Sequence, residues 1–254
     1  MKHTICIIAA ALLAVFSCRA QEFGKYRPLY FAAGIPVSGP IDKSTAGFKF
    51  QFGTSIPLAK GFGGRDGFDL DFVYNQISTW DFFDESSPFR DHAFMPGLFL
   101  AIPLKRDRVV LGVEHRSNGR PLRRSENDVS SRSVTYAFVR YEAFFENGLV
   151  LKAALRAGNG WYDDEPTQDV YRCFLGYGDL VLGYRKERFE AAVTVTPVFG
   201  PFRLDLKAEA AYRLGACSVF VQFCDGYEDA QCDWIRGYRP QPYLRAGVLF
   251  GRLL

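Results

Sequence analysis

The sequence predicts an all-β fold, a transmembrane antiparallel β-barrel of 12 strands. Aromatic residues make up 16% of the 254 residues, and glycine contributes 24 of them. Mean hydropathy is nevertheless close to zero. Many segments of about ten residues alternate between apolar and polar side chains, which is the pattern of strands that face lipid on one side. After the amino-terminal segment, no stretch reaches the roughly 20 apolar residues that a membrane-spanning helix needs.

The amino-terminal segment is typical of a secretory signal peptide. A short polar start precedes an uncharged stretch, residues 4–18, and a small residue follows at Ala20. This pattern predicts a signal peptide of residues 1–20, which leaves residues 21–254 as one exported barrel domain. The alternative is a lipoprotein signal in which Cys18 carries the lipid.

The alternating segments are the predicted strands. In residues 203–214, apolar side chains occupy one parity and charged side chains the other. Because successive side chains of a strand point to opposite faces, each such segment has one apolar and one polar face. The predicted strands, in chain order, are 28–38, 45–58, 67–82, 93–104, 108–118, 133–145, 149–161, 170–185, 189–200, 203–214, 217–228 and 241–254.

The connections between these strands alternate in length, as they do in outer-membrane barrels. Short links are predicted to be periplasmic turns, whereas the long polar links 119–132 and 229–240 are predicted to be extracellular loops. The last segment ends in Leu254, where a phenylalanine is expected for barrel assembly.

A secreted soluble barrel or sandwich is the alternative fold, with the apolar parity packed inside. Twelve strands are too many for a small soluble barrel with a filled interior. Aromatic residues at strand ends also favour the membrane, because they form girdles at its interfaces; these are Trp80, Phe82, Phe83, Trp161 and Tyr162. The polar parity is predicted to form an ionic interior rather than a pore; it carries Asp69, Asp71, Glu114, Arg116, Arg140, Glu142, Lys152 and Arg156.

The charge balance excludes one class of partner. Lys and Arg total 31, Asp and Glu total 28, and the formal net charge is +3. Such a chain has no strong basic field, so no nucleic-acid partner is expected.

A histidine and a serine end the apolar stripe of the predicted strand 108–118. His115 and Ser117 continue the parity of the apolar residues before them. Two residues apart on a strand, their side chains share one face, and a histidine base there can accept the proton of a hydroxyl. The alternative is that two polar residues mark the membrane–water boundary.

A longer string around this pair resembles the outer-membrane phospholipase A family. Residues 115–120 read H-R-S-N-G-R at the end of one predicted strand, and residues 131–133 read S-R-S at the start of the next. The resemblance covers roughly residues 67–254, and the family is a twelve-stranded barrel. Further matching pieces follow the same order, at residues 74–76, 85–90, 158–159 and 163–166.

The resemblance implies a catalytic role for three residues. Ser117 would be the nucleophile that attacks a phospholipid ester, and His115 would be the general base. In the family an asparagine orients this histidine, and Thr135 stands at that place here. A threonine hydroxyl also accepts a hydrogen bond from an imidazole, although its side chain is shorter. The implied activity is therefore the hydrolysis of phospholipid acyl esters in the outer membrane, at the A1 and A2 positions.

The resemblance further implies Ca²⁺ as the cofactor and a reversible homodimer. The matching calcium positions are Ser86, Arg120 through its backbone carbonyl, Ser131 and Asp164. Oxygen ligands and retained waters suit Ca²⁺. Gln76 lies in an otherwise apolar stripe and is implied to sit at the dimer interface. The alternative for Gln76 is a residue near the rim that reaches water.

Two other functions stay open, a lipid A deacylase and a catalytically silent barrel with a structural or pore role. The scarcity of histidine argues against a zinc site. After the signal peptide four cysteines remain, and oxidation in an exported protein is possible. A bridge between Cys224 and Cys232 is the first choice because these residues flank one predicted loop; the other two cysteines are Cys173 and Cys217.

Overall fold

The structure of the chain is a computed structural model that describes residues 27–64, 67–120, 131–162, 165–167, 171–200, 202–226 and 242–254. The predicted signal peptide, residues 1–20, and the predicted calcium ligand Asp164 lie outside these ranges. Within them, no helix is long and apolar enough to cross a membrane.

Thirteen strands account for most of the regular structure in the described residues. They are β1 (Leu29–Pro36), β2 (Gly47–Phe62), β3 (Phe68–Trp80), β4 (Phe89–Leu104), β5 (Asp107–Ser117), β6 (Arg132–Phe144), β7 (Leu149–Tyr162), β8 (Glu165–Thr167), β9 (Gly178–Lys186), β10 (Phe189–Val198), β11 (Arg203–Arg213), β12 (Cys217–Asp225) and β13 (Tyr243–Phe250).

The strands close into a barrel of 12 antiparallel strands, which confirms the predicted fold class. Long strands that follow one another in the chain pair with one another, and β1 pairs with β13 to close the ring. The short strand β8 pairs only with the end of β7, whereas β7 pairs with β6 and β9 as a member of the barrel wall.

The charged parity faces the inside of the barrel and the apolar parity faces outward. Lys49, Glu114 and Glu142 are each only 1% exposed, whereas Leu155 is 68% and Leu182 57% exposed. A soluble barrel would show the reverse arrangement, since burial of apolar surface drives its folding. The outward apolar surface is that of a barrel whose solvent is lipid.

Ion pairs fill much of the interior, as the sequence pattern indicates. Glu142 accepts hydrogen bonds from Arg108 Nε and Arg140 Nε, both at 2.6 Å. Arg156 pairs with Asp179 on the neighbouring strand β9. A cavity of about 470 Å³ lies among these side chains.

The predicted strand 170–185 is wrong in its first half. Tyr171–Leu175 forms a single π-helical turn, and β9 begins only at Gly178. The side chains of Phe174 and Leu175 pack against Val134 on the inner side of β6. Both residues line the interior cavity. An apolar side chain can be covered by protein or by lipid, and the sequence pattern does not distinguish the two.

The predicted strand 241–254 is also too long. β13 ends at Phe250, and the next residues turn inward at Gly251, where φ is 87°. Glu190 holds this segment, because its Oε2 accepts the backbone N–H of Leu253 at 2.6 Å. The last residue of β13 is thus Phe250, which is 43% exposed, and Leu254 lies beyond the strand.

Arg90 connects several elements at the long-loop rim, the end of the barrel at which the predicted extracellular loops lie. Arg90 on β4 pairs with Asp81 at 2.7 Å and donates to the hydroxyl of Tyr243 on β13 at 3.1 Å. It also donates to the Ser44 carbonyl at 3.0 Å. The loop between β1 and β2 is thus anchored to β4 and to β13.

The predicted disulfide is not tested by this structure. Cys224 is buried on β12, while Cys232 and the side chain of Cys173 lie outside the described residues. The bridge stays a prediction.

Candidate active site

The outward stripe of β5 ends in the two residues singled out above. Val113 is 50% exposed to the surroundings of the barrel, and His115 and Ser117 follow it on the same face. Residues two apart on a strand are about 6.5–7 Å apart along the backbone. Ser117 is the last residue of β5, so the pair lies where the barrel wall meets the long-loop rim.

The adjacent strand brings Thr135 against the histidine. The β5–β6 register pairs His115 with Thr135 and Ser117 with Ser133. His115 Nδ1 lies 2.8 Å from Thr135 Oγ1, which is a hydrogen-bond distance. When Nδ1 carries the proton and donates it to this hydroxyl, Nε2 is left as a base. The three residues predicted to be catalytic thus lie together on one face.

Buried side chains support this pair of strands from the inside. The Tyr136 hydroxyl on β6 donates a hydrogen bond to the Glu114 carboxylate on β5. Both residues are buried, and each is the chain neighbour of a site residue. The bond therefore joins β5 to β6 directly behind His115 and Thr135 and limits their relative movement.

Asn118 closes the base of the loop that follows the site. Its Oδ1 accepts the backbone N–H of Arg132 at 3.0 Å and that of Arg120 at 3.3 Å. Its own backbone N–H donates to the Arg132 carbonyl at 3.1 Å. These bonds hold the end of β5 to the start of β6, and so they fix Ser117 and the two ends of the loop that Arg120 and Ser131 flank.

A glycine lets an aromatic ring pack beside the serine. Gly119 has φ of 64°, and a Cβ at this position would lie 2.8 Å from the ring of Phe94. Phe94 pairs with Ser117 in the β4–β5 register and stacks on His92 at a ring distance of 5.6 Å. The serine therefore has an aromatic wall on its β4 side.

Three of the predicted calcium positions, Ser86, Arg120 and Ser131, lie at one rim of the barrel. Ser86 lies in the loop between β3 and β4 with φ of 62°, and Arg120 and Ser131 flank the loop between β5 and β6. Two hydroxyls and a carbonyl are oxygen donors, which fit a hard cation such as Ca²⁺. The described residues contain no group of three or more acidic, histidine or cysteine side chains that could hold a metal ion. The proposed acidic ligand, Asp164, lies outside them.

Gln76 belongs to a chain of polar side chains on the outer face. Its Oε1 accepts from the Tyr74 hydroxyl at 3.0 Å, and its Nε2 donates to Ser78 Oγ at 3.1 Å. Ser78 Oγ lies 2.9 Å from His92 Nδ1 on β4. This chain crosses from β3 to β4 and leads toward Phe94 at the site.

Comparison with known proteins identifies the family. The family model described as "Phospholipase A1" matches residues 36–237. The chain belongs to the phospholipase A1 family. A curated phospholipase A1 of Escherichia coli strain K12 is 35% identical over 147 residues, which cover 54% of this chain and 46% of that protein. The aligned stretch thus spans about half of each.

Solved structures of outer-membrane phospholipases share the fold of this phospholipase A1 family member. The Escherichia coli outer membrane phospholipase A superposes with a TM-score of 0.73 at 22% identity, covering 89% of this chain and 93% of that one. A Salmonella typhi outer membrane phospholipase, solved as a dimer with bound calcium, gives a TM-score of 0.75 at 22% identity, covering 91% and 93%.

Several features of this family member were not found in the sequence. Asn118 belongs to the H-R-S-N-G-R string, but the string does not predict that its side chain links the end of β5 to the start of β6. The contact between Ser78 and His92 was missed because the residues lie on different strands. The resemblance assigns no role to Asn159, although the β6–β7 register places it opposite Thr135.

Proposed function

We propose that this chain is a calcium-dependent phospholipase of the outer membrane, exported by a cleaved signal peptide of residues 1–20. It would hydrolyse acyl esters of phospholipids at the A1 and A2 positions. The observation that carries the proposal is the contact of 2.8 Å between His115 and Thr135 beside Ser117, on the outward face of the barrel. A lipid ester reaches that face without leaving the membrane surface.

The proposed reaction is an acyl transfer in two steps. Ser117 Oγ attacks the ester carbonyl while its proton passes to His115 Nε2, and the proton then goes to the leaving alcohol, which departs as a lysophospholipid. Water next attacks the acyl-serine, giving its proton to His115, and the fatty acid leaves as Ser117 recovers its proton. Throughout, Thr135 keeps the imidazole oriented by accepting the hydrogen bond of Nδ1.

The apolar wall beside the pair suits an acyl chain. Leu98, Leu111 and Val113 lie on the outward face of β4 and β5 and are 50%, 40% and 50% exposed. They continue from the site toward the middle of the barrel wall, next to the ring of Phe94. An acyl chain lying along them buries apolar surface while its ester stays at Ser117.

Calcium would be held by the Ser86 and Ser131 hydroxyls and the Arg120 carbonyl, with Asp164 as the proposed acidic ligand. When bound, the cation supplies electrostatic stabilisation of the negative charge that develops on the carbonyl oxygen. The chain's own part at Arg120 and Ser131 is to hold the two ends of the β5–β6 loop together next to Ser117, through the hydrogen bonds of Asn118.

Hydrolysis of phospholipid in detergent micelles tests the proposal. The purified chain should release fatty acid and lysophospholipid with Ca²⁺ present and lose this activity in a chelator. Activity on lipid A but not on phospholipid would instead identify a deacylase. A folded barrel without activity on either substrate in excess Ca²⁺ would contradict the proposal.

We also propose a reversible homodimer with Gln76 at its interface. The amide keeps one N–H and further acceptor capacity beyond its bonds to Tyr74 and Ser78, so it can pair with a second amide across lipid. Such pairs contribute about 0.6–2 kcal/mol in membranes, so Gln76→Ala should raise the dimer dissociation constant roughly 3- to 30-fold.

Chemical crosslinking in detergent measures this effect. The matched control is Val193→Ala, which removes an outward side chain on β10, on the opposite wall of the barrel from β3. The control should crosslink as the native chain does. Equal crosslinking of Gln76→Ala and the native chain would rule out this interface.

A further inference from the structure

A second polar side chain faces Thr135 from the strand on its other side. The β6–β7 register pairs Thr135 with Asn159, as the β5–β6 register pairs it with His115. His115, Thr135 and Asn159 therefore form a row across three neighbouring strands. Thr135 and Asn159 are both exposed on the outer surface.

Asn159 is a polar residue on the apolar, outward-facing parity of β7. Its parity on β7 is that of Leu155, which is 68% exposed, and of Ala153 and Ala157. The opposite parity carries Arg156, which lines the interior cavity. A polar side chain on a lipid-facing stripe is costly and is a functional candidate by default.

The spacing across the strands allows a hydrogen-bond relay. Side chains directly opposite each other on antiparallel strands have Cβ atoms about 4.5–5.5 Å apart, within reach of a hydroxyl and an amide. A hydroxyl that accepts a bond from His115 Nδ1 still has its own hydrogen to donate. The amide oxygen of Asn159 is an acceptor in register for it.

We propose that Asn159 is a positioning residue that acts on His115 through Thr135. The inference rests on the proposed function of the site. A threonine hydroxyl alone fixes a ring less firmly than an amide does, because the hydroxyl rotates freely. An acceptor on β7 fixes the hydroxyl hydrogen, and the oxygen lone pairs then face the imidazole. Thr135 and Asn159 together thus orient the histidine.

A double-mutant cycle tests the relay, with kcat and KM for phospholipid hydrolysis measured in excess Ca²⁺. Asn159→Leu removes the acceptor at similar volume and should lower kcat roughly tenfold with KM little changed, since small errors of position are costly in catalysis. In the background of Thr135→Asn, whose amide reaches the imidazole directly, the same substitution should change kcat less than about twofold.

Two further variants sharpen the test. Asn159→Asp keeps an acceptor oxygen and should retain most of the activity. Leu155→Ala, an outward change on the same strand, should leave kcat unchanged. The relay is overturned by an equal loss from Asn159→Leu in both backgrounds, which shows a structural role, or by no loss in the native background. If the native chain itself hydrolyses no phospholipid, the proposed function fails instead.

Discussion

The Ser117→Ala variant should lose phospholipid hydrolysis by at least about 1000-fold while its barrel folds as before. The hydroxyl oxygen forms the bond to the acyl group, so its removal leaves only the binding surface and the electrostatic contributions. Folding is not expected to suffer, because Ser117 lies on the outward face at the end of β5. Initial rates in micelles with Ca²⁺ measure the loss, and the shift in gel migration on heating reports the folded barrel.

The register supplies a matched control serine. Ser133 lies directly opposite Ser117 on β6 and shares its face. Ser133→Ala removes the same hydroxyl from the same surface and should keep activity within a few-fold of the native rate. A large loss in Ser133→Ala together with an active Ser117→Ala would move the nucleophile to the other strand.

Non-additivity distinguishes a working pair from two independent residues. If His115 acts by activating Ser117, the His115→Ala change should cost almost nothing further in a chain that already carries Ser117→Ala. If the loss of rate in the double variant equals the product of the two single losses, the histidine contributes by another route, such as binding the substrate.

The local pattern of the sequence contains much of this site. Once alternation places His115 and Ser117 on the apolar parity, and the hairpin pairs β5 with β6, Thr135 has to face the same side. Both steps depend on a period of two and on a short sequence separation. The closed barrel follows in the same way, because consecutive strands pair with one another.

The features that sequence reasoning missed depend on three-dimensional space rather than on local pattern. Phe174 and Leu175 lie in a segment that predicts a barrel strand, but they leave the wall and pack inside the barrel with Val134 and Tyr136. Arg90 reaches Tyr243, which is 153 residues away in the chain. An apolar residue signals burial without saying whether lipid or protein covers it, and an arginine does not reveal its partner.

The interior ion cluster around Glu142 should control the stability of the barrel. Glu142 is 1% exposed and contacts Arg108 and Arg140, and Lys152 lies opposite it in the β6–β7 register. Glu142→Gln keeps the shape of the side chain but leaves three cations facing one another. Loss of one partner from a buried cluster is expected to lower the free energy of unfolding by roughly 3 kcal/mol.

A solvent-exposed ion pair of the same chain provides the matched control. Glu146 pairs with Arg106 at 2.6 Å, with side chains 79% and 67% exposed, so Glu146→Gln should cost less than about 1 kcal/mol. Unfolding in detergent with guanidinium measures both variants. In the double variant Glu142→Gln with Arg140→Gln, part of the loss should return, because one uncompensated cation is gone. Equal destabilisation by Glu142→Gln and Glu146→Gln would mean that water inside the barrel screens the cluster as fully as bulk solvent screens the surface pair.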